Sequence, residues 1–124
     1  MRILVALFAI GHGIAHLPGF LVAWQLRTMP ELPYRMTIFD GSLDIGVFGT
    51  RVLGIAWLVV SLAFGIAGAG LLIRAPWASD AVLAAVALSI PLCVAGWPDA
   101  RFGLAANVIF AVFLAASASF GWLE

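Results

Sequence analysis

The chain has 124 residues, of which 65% are hydrophobic and 10% charged, with a mean hydropathy of +1.16 and a formal net charge of zero. That balance excludes an ordinary soluble domain. The six cations are all arginine and are matched by six acids, so no basic surface points to nucleic acid and no acidic tail points to a charged partner.

A helical crossing of a bilayer needs about 20 apolar residues, and the charged residues fall in clusters that leave four such runs. The spans are expected at 3–26, 51–73, 80–97 and 102–123, within a single domain covering 1–124. The first run follows Met1-Arg2, but its length, its central histidines and the lack of a small-residue cleavage site favour a span over a signal peptide.

The second connection, "RAPWAS", and the third, "PDAR", are short, which makes sequential helices antiparallel neighbours. The expected fold is therefore an all-α membrane protein, an up-down antiparallel bundle of four transmembrane helices. Both termini lie on one side, here called side A. Side B receives the long loop 27–50, "RTMPELPYRMTIFDGSLDIGVFGT", which is expected to form a lid or re-entrant cap. Trp24 and Trp97 near side B, and Trp77 and Trp122 near side A, match interfacial aromatic belts. Arg27, Arg35, Arg51 and Arg101 on side B outnumber Arg2 and Arg74 on side A, which places side B in the cytoplasm.

In the first span "GHGIAHLPGF" holds both histidines of the chain. At about 100° per residue, Val5, Ala9, His12, His16, Gly19 and Ala23 share one helical face, opposite Ile3, Leu7, Ile10, Ile14, Leu17 and Leu21. Lipid accepts large aliphatics and helix contacts favour small residues, so the histidine face is expected inward. The second span aligns Gly54, Ser61, Gly65 and Gly68. The third aligns Val82, Ala85, Ser89, Cys93 and Gly96, and the fourth aligns Gly103, Asn107, Ala111, Ala118 and Gly121.

The inner polar set is thus His12, His16, Ser61, Ser89, Cys93 and Asn107, converging toward side B. Pro18 and Pro91 each release a backbone carbonyl near that level. A substrate cavity is expected there, beneath the loop and lined by Trp57, Ser61, Ser89 and Cys93.

Two chemistries fit this set. His12 and His16, at i and i+4, can hold a divalent metal, with Cys93, Asp99, Asp40 or Asp44 as further ligands. Alternatively His12, His16 and Asn107 are catalytic, one imidazole acting as general base on a small hydrophobic substrate, as in an isomerase, hydratase or cyclase. A structural reading stands beside these, because intramembrane histidine, serine and asparagine also tie helices together. Cys93 cannot form an intramolecular disulfide, being the sole cysteine. In "FDGSLDIG" a glycine turn with a capping aspartate is expected rather than a calcium loop.

"GHGIAHLPGF", "ELPYRMTIFDGSLDIGVFGTRVLGIAWL" and "GWPDARFGLAANVIF" together span nearly the whole chain. They resemble a group of uncharacterised small four-span bacterial inner-membrane proteins, and helix count and size are similar in outline to DoxX-like proteins. The resemblance implies a multi-pass protein of the bacterial inner membrane and carries over no site residue. The functions expected are a histidine site that binds a metal or performs acid/base chemistry, or a non-catalytic accessory subunit. The expected partners are the lipid bilayer, a small hydrophobic ligand, and either further copies of the chain or a larger membrane complex.

Overall fold

The computed structural model describes residues 1–123 and contains four helices, α1 (Arg2–Ala23), α2 (Gly46–Leu72), α3 (Ala78–Ala95) and α4 (Arg101–Phe120). Each is long and apolar enough to cross a membrane. Two short strands in the first connection, β1 (Thr37–Ile38) and β2 (Leu43–Asp44), pair antiparallel with Thr37 opposite Asp44.

The helix ends differ from the hydropathy boundaries, and backbone hydrogen bonding explains why. α1 stops three residues before Leu26 because Gln25 takes a left-handed conformation, φ 54°. Leu26 N–H then donates to the Leu21 carbonyl and Gln25 N–H to that of Val22, the two bonds of a Schellman cap. α2 ends in the same way at Arg74, φ 60°, with Ala75 N–H on the Gly70 carbonyl and Arg74 N–H on that of Leu71. At its start α2 reaches back to Gly46, five residues earlier than expected, where the Asp44 carboxylate accepts the Gly46 N–H at 2.8 Å. α3 runs two residues nearer the N-terminus at both ends than the expected 80–97.

Contacts fix an antiparallel arrangement throughout. Ile10 meets Gly68 and Gly13 meets Ser61, while Gly19 faces Trp57, so α1 and α2 run in opposite directions. Gly70 beside Ala78 and Gly96 beside Trp57 reverse α3, and Cys93 beside Gly103 reverses α4. The packing is closest between helices consecutive in sequence, whereas α1 and α4 approach at few positions. Where they do meet, Phe8 lies edge-on to Phe110 at 4.9 Å and His12 bonds to Asn107.

The interior is built from small and medium side chains around Phe64, Val82 and Val86, all essentially inaccessible. The outer surface is the reverse of a soluble protein's, because Leu4, Leu7, Ile14, Leu62, Ile66, Ile109 and Val112 all face outward. Such a surface is compatible with an apolar surrounding.

Candidate functional site

Five side chains of the interior form one connected polar group on three helices. His12 and His16 come from the same face of α1, Ser89 and Cys93 from α3, and Asn107 from α4. A one-turn spacing on α1 and on α3 puts each pair on one face, and antiparallel packing brings Asn107 to the same depth.

Hydrogen-bond geometry assigns a direction to each link among His12, His16, Ser89 and Asn107. His16 Nδ1 lies 2.8 Å from the His12 backbone carbonyl, which can only accept, so Nδ1 carries a proton. The Asn107 amide nitrogen donates to Ser89 Oγ at 2.7 Å and to Cys93 Sγ at 3.5 Å. Ser89 is then left to donate its hydroxyl proton to His16 Nε2, 2.6 Å away. Asn107 Oδ1 accepts from His12 Nε2 at 3.0 Å, which requires the proton on that nitrogen. Among the described residues no carboxylate touches either ring, and a buried imidazolium without a counter-charge is costly. The arrangement is satisfied with both imidazoles neutral and of opposite tautomer, His12 protonated at Nε2 and His16 at Nδ1.

One acceptor remains over. His12 Nδ1 has no hydrogen-bond partner among the described residues, yet it is not fully enclosed. Packing holds the ring that carries it. Phe8 stacks on His12 at 5.7 Å with an interplanar angle of 11°, and Phe64 meets it edge-on at 4.8 Å. Trp57 lies 5.3 Å from the His16 ring.

Both histidines wall a cavity of about 410 Å³, within the size range of small-molecule sites. Its floor is formed by His12, His16, Trp57 and Cys93, and its roof by residues 32–41 of the connection together with the 95–100 turn. Three bonds hold that roof in place. Arg35 Nε donates to Asp99 Oδ2 at 2.8 Å, and the N–H groups of Phe39 and Asp40 donate to the carbonyls of Ala95 and Trp97. The bond from Phe39 satisfies the Ala95 carbonyl, which the C-terminus of α3 would otherwise leave open.

The other sequence candidates are distributed as follows. Ser89 and Asn107 are fully buried behind the cavity wall, and neither lines it. Ser61 lies apart from the group and also does not line the cavity, because its hydroxyl donates to the Gly13 carbonyl at 2.6 Å and clasps α1 to α2. Asp40 and Asp99 sit on the cavity rim, Asp99 in its ion pair, while Asp44 is turned to the start of α2. Among the described residues no three His, Cys, Asp or Glu side chains form a cluster able to hold a metal.

Arg35 was not reached by sequence reasoning. It is 64 positions from Asp99, and no periodicity connects a loop residue to a distant turn. The Arg35 side chain is half exposed, so Asp99→Ala should lower stability by only about 0.5 kcal/mol in thermal unfolding.

All-helical architecture with four membrane-length apolar helices defines the class as a small multi-pass membrane-type bundle. No family model, curated protein or solved structure matches the chain.

Proposed function

We propose that this is a multi-pass protein of the bacterial inner membrane that binds a small hydrophobic molecule in the cavity and acts on it through His12. The observation that carries this reading is the directed bonding from His12 through Asn107 and Ser89 to His16, which leaves one nitrogen acceptor on a ring that lines a largely apolar space. His12 serves as the general base or hydrogen-bond acceptor. Asn107, Ser89 and His16 are positioning residues that hold its tautomer and ring orientation, as a partner residue does for any catalytic imidazole. An acid/base step at a carbon or hydroxyl of the bound molecule belongs to isomerase, hydratase or cyclase chemistry.

The metal reading has less support. Both nitrogens of His16 and one of His12 are engaged, and binding a cation at both rings would require breaking the bonds to Asn107 or Ser89. Gently purified protein is therefore expected to carry well under one equivalent of metal by elemental analysis. Equimolar metal that disappears in His12→Ala would favour the metal site.

A second reading also has a specific observation behind it. The network joins α1, α3 and α4, so it is itself an interhelical clasp, as an accessory subunit would need. Solvent extraction and mass spectrometry of the purified protein separate the two. Wild type is expected to release a lipophilic compound that His12→Phe, folded by circular dichroism and gel filtration, no longer retains. Equal retention by both, or a larger membrane protein co-purifying with an empty cavity, favours the clasp.

A further inference from the structure

We infer that the ligand is a neutral, hydroxyl-bearing molecule of the lipid phase, admitted sideways between α1 and α4 with its hydroxyl donating to His12 Nδ1. This rests on the reading that the cavity holds a ligand, and goes on to its chemical class and its route.

The route follows from how unevenly the bundle closes. α1 and α4 are joined on the side A half by Phe8 with Phe110 and at mid-depth by His12 with Asn107. Among the described residues no side-chain hydrogen bond or ring contact joins them nearer side B than His12 and Asn107. The short side chains that line the cavity on the two helices are Ala15 on α1 and Ala106 on α4, whereas Gly19 packs on Trp57 and Gly103 on Cys93. Ala15 is exposed and Ala106 partly exposed, so no bulky side chain covers the cavity wall between these two helices at that level. A small-residue seam alone defines no site. Here it leads to His12, which is only 8% exposed and whose Nδ1 lacks a partner among the described residues. The opposite, side B approach is crossed by the connection, fastened through Arg35 to Asp99 and through the Phe39 and Asp40 amides.

The class follows from the unmatched atom. With its proton held at Nε2 by Asn107, His12 presents Nδ1 as an acceptor, so the ligand must bring a donor. A carbonyl or an ether brings none. A carboxylate would meet no free cation on the inner wall, since the cavity's arginine, Arg35, is at the rim and paired with Asp99. Ala15, Val22, Leu53, Trp57 and Ala106 offer an apolar bed for the rest of the molecule. A hydrocarbon tail emerging through the seam stays in lipid.

The test uses protein labelled with 15N-histidine in lipid nanodiscs, where only two rings report, titrated with 1-decanol and with decyl methyl ether. Decanol is expected to move the unprotonated His12 Nδ1 resonance, and the ether to need at least about fivefold more for any effect, the ratio one neutral hydrogen bond supplies. Ala15→Phe combined with Ala106→Phe should raise the decanol requirement at least about tenfold while leaving both histidine tautomers unchanged, which certifies the fold. In that variant 1-butanol, short enough to need no seam, should still move the resonance. Asp99→Ala, which loosens the roof, should leave the decanol response as in wild type.

Equal action of decanol and ether, or no response to either, overturns the ligand class. An undiminished response in the seam variant, or a response that strengthens in Asp99→Ala, overturns the lateral route. If a lipophilic compound co-purifies while decanol has no effect, this inference fails and the proposed function stands. If no compound co-purifies as well, both fail.

Discussion

Asn107→Leu is expected to destabilise the protein by about 2 kcal/mol, more than any other change in the polar interior. Leucine occupies nearly the same volume, so the loss comes from polar atoms rather than from a void. Asn107 is fully buried and serves His12 Nε2, Ser89 Oγ and Cys93 Sγ at once. Its removal leaves the His12 N–H without an acceptor and one lone pair of Ser89 without a donor. Hydrogen bonds between membrane helices average somewhat below 1 kcal/mol each when both ends can find other partners. These two ends are sealed at the centre of the bundle, and that places the cost toward the upper range. Unfolding in mixed micelles followed by circular dichroism gives the value. The double variant His12→Phe/Asn107→Leu removes the stranded N–H as well, so it should be less destabilised than Asn107→Leu alone by about 1 kcal/mol. Simple additivity of the two changes would contradict the bond between them. Ligand retention should fall in both variants, since a freed imidazole no longer keeps Nδ1 as the acceptor.

Gly13→Val should cost about 2 to 3 kcal/mol through overpacking. A Cβ at Gly13 would lie 2.7 Å from the Ser61 carbonyl oxygen and 3.0 Å from the Phe64 Cβ. The first of these is backbone, which cannot rotate aside, so α1 and α2 would have to move apart. That movement would also strain the Ser61 bond to the Gly13 carbonyl and shift His12 and His16 on either side. Gly11→Ala is the matched control, since a Cβ there meets nothing within 4 Å. It should be neutral or stabilising by about 0.5 to 1 kcal/mol, the helix-propensity difference. Equal losses for the two variants would show that flexibility, rather than close approach, is what Gly13 provides.

The parts of the molecule written in the sequence are those set by solvent preference. Four apolar runs separated by charges mark four helices, each long and apolar enough to cross a membrane. The small-residue stripes mark the inner faces, and they correctly gather His12, His16, Ser89, Cys93 and Asn107 at one level. Helix ends were less legible. Gln25 and Arg74 both enter the left-handed region without being glycine, so no residue type announces the caps of α1 and α2. Ser61 shares its stripe with Gly54 and Gly68, and that stripe packs on α1 at Ala23, Gly13 and Ile10, while the cavity side of α2 is the neighbouring face of Leu53 and Trp57. The roof was legible as a long polar connection, but its fastening was not. Arg35 with Asp99, and the Phe39 and Asp40 amides with the end of α3, depend on where two distant turns meet. Which nitrogen of each histidine bears the proton depends in turn on the His12 carbonyl and the Asn107 oxygen, and no pattern of side chains encodes that.

The tautomers of the two histidines are therefore the most direct test of the site. A one-bond and long-range 15N spectrum of histidine-labelled protein near neutral pH contains signals from two rings only. The expected result is two neutral imidazoles of opposite kind, His12 with its proton on Nε2 and His16 with its proton on Nδ1, assigned by the loss of one set in His12→Phe. Identical tautomers, or a doubly protonated ring at either position, would contradict the directed chain and with it the acceptor on which the proposed chemistry depends.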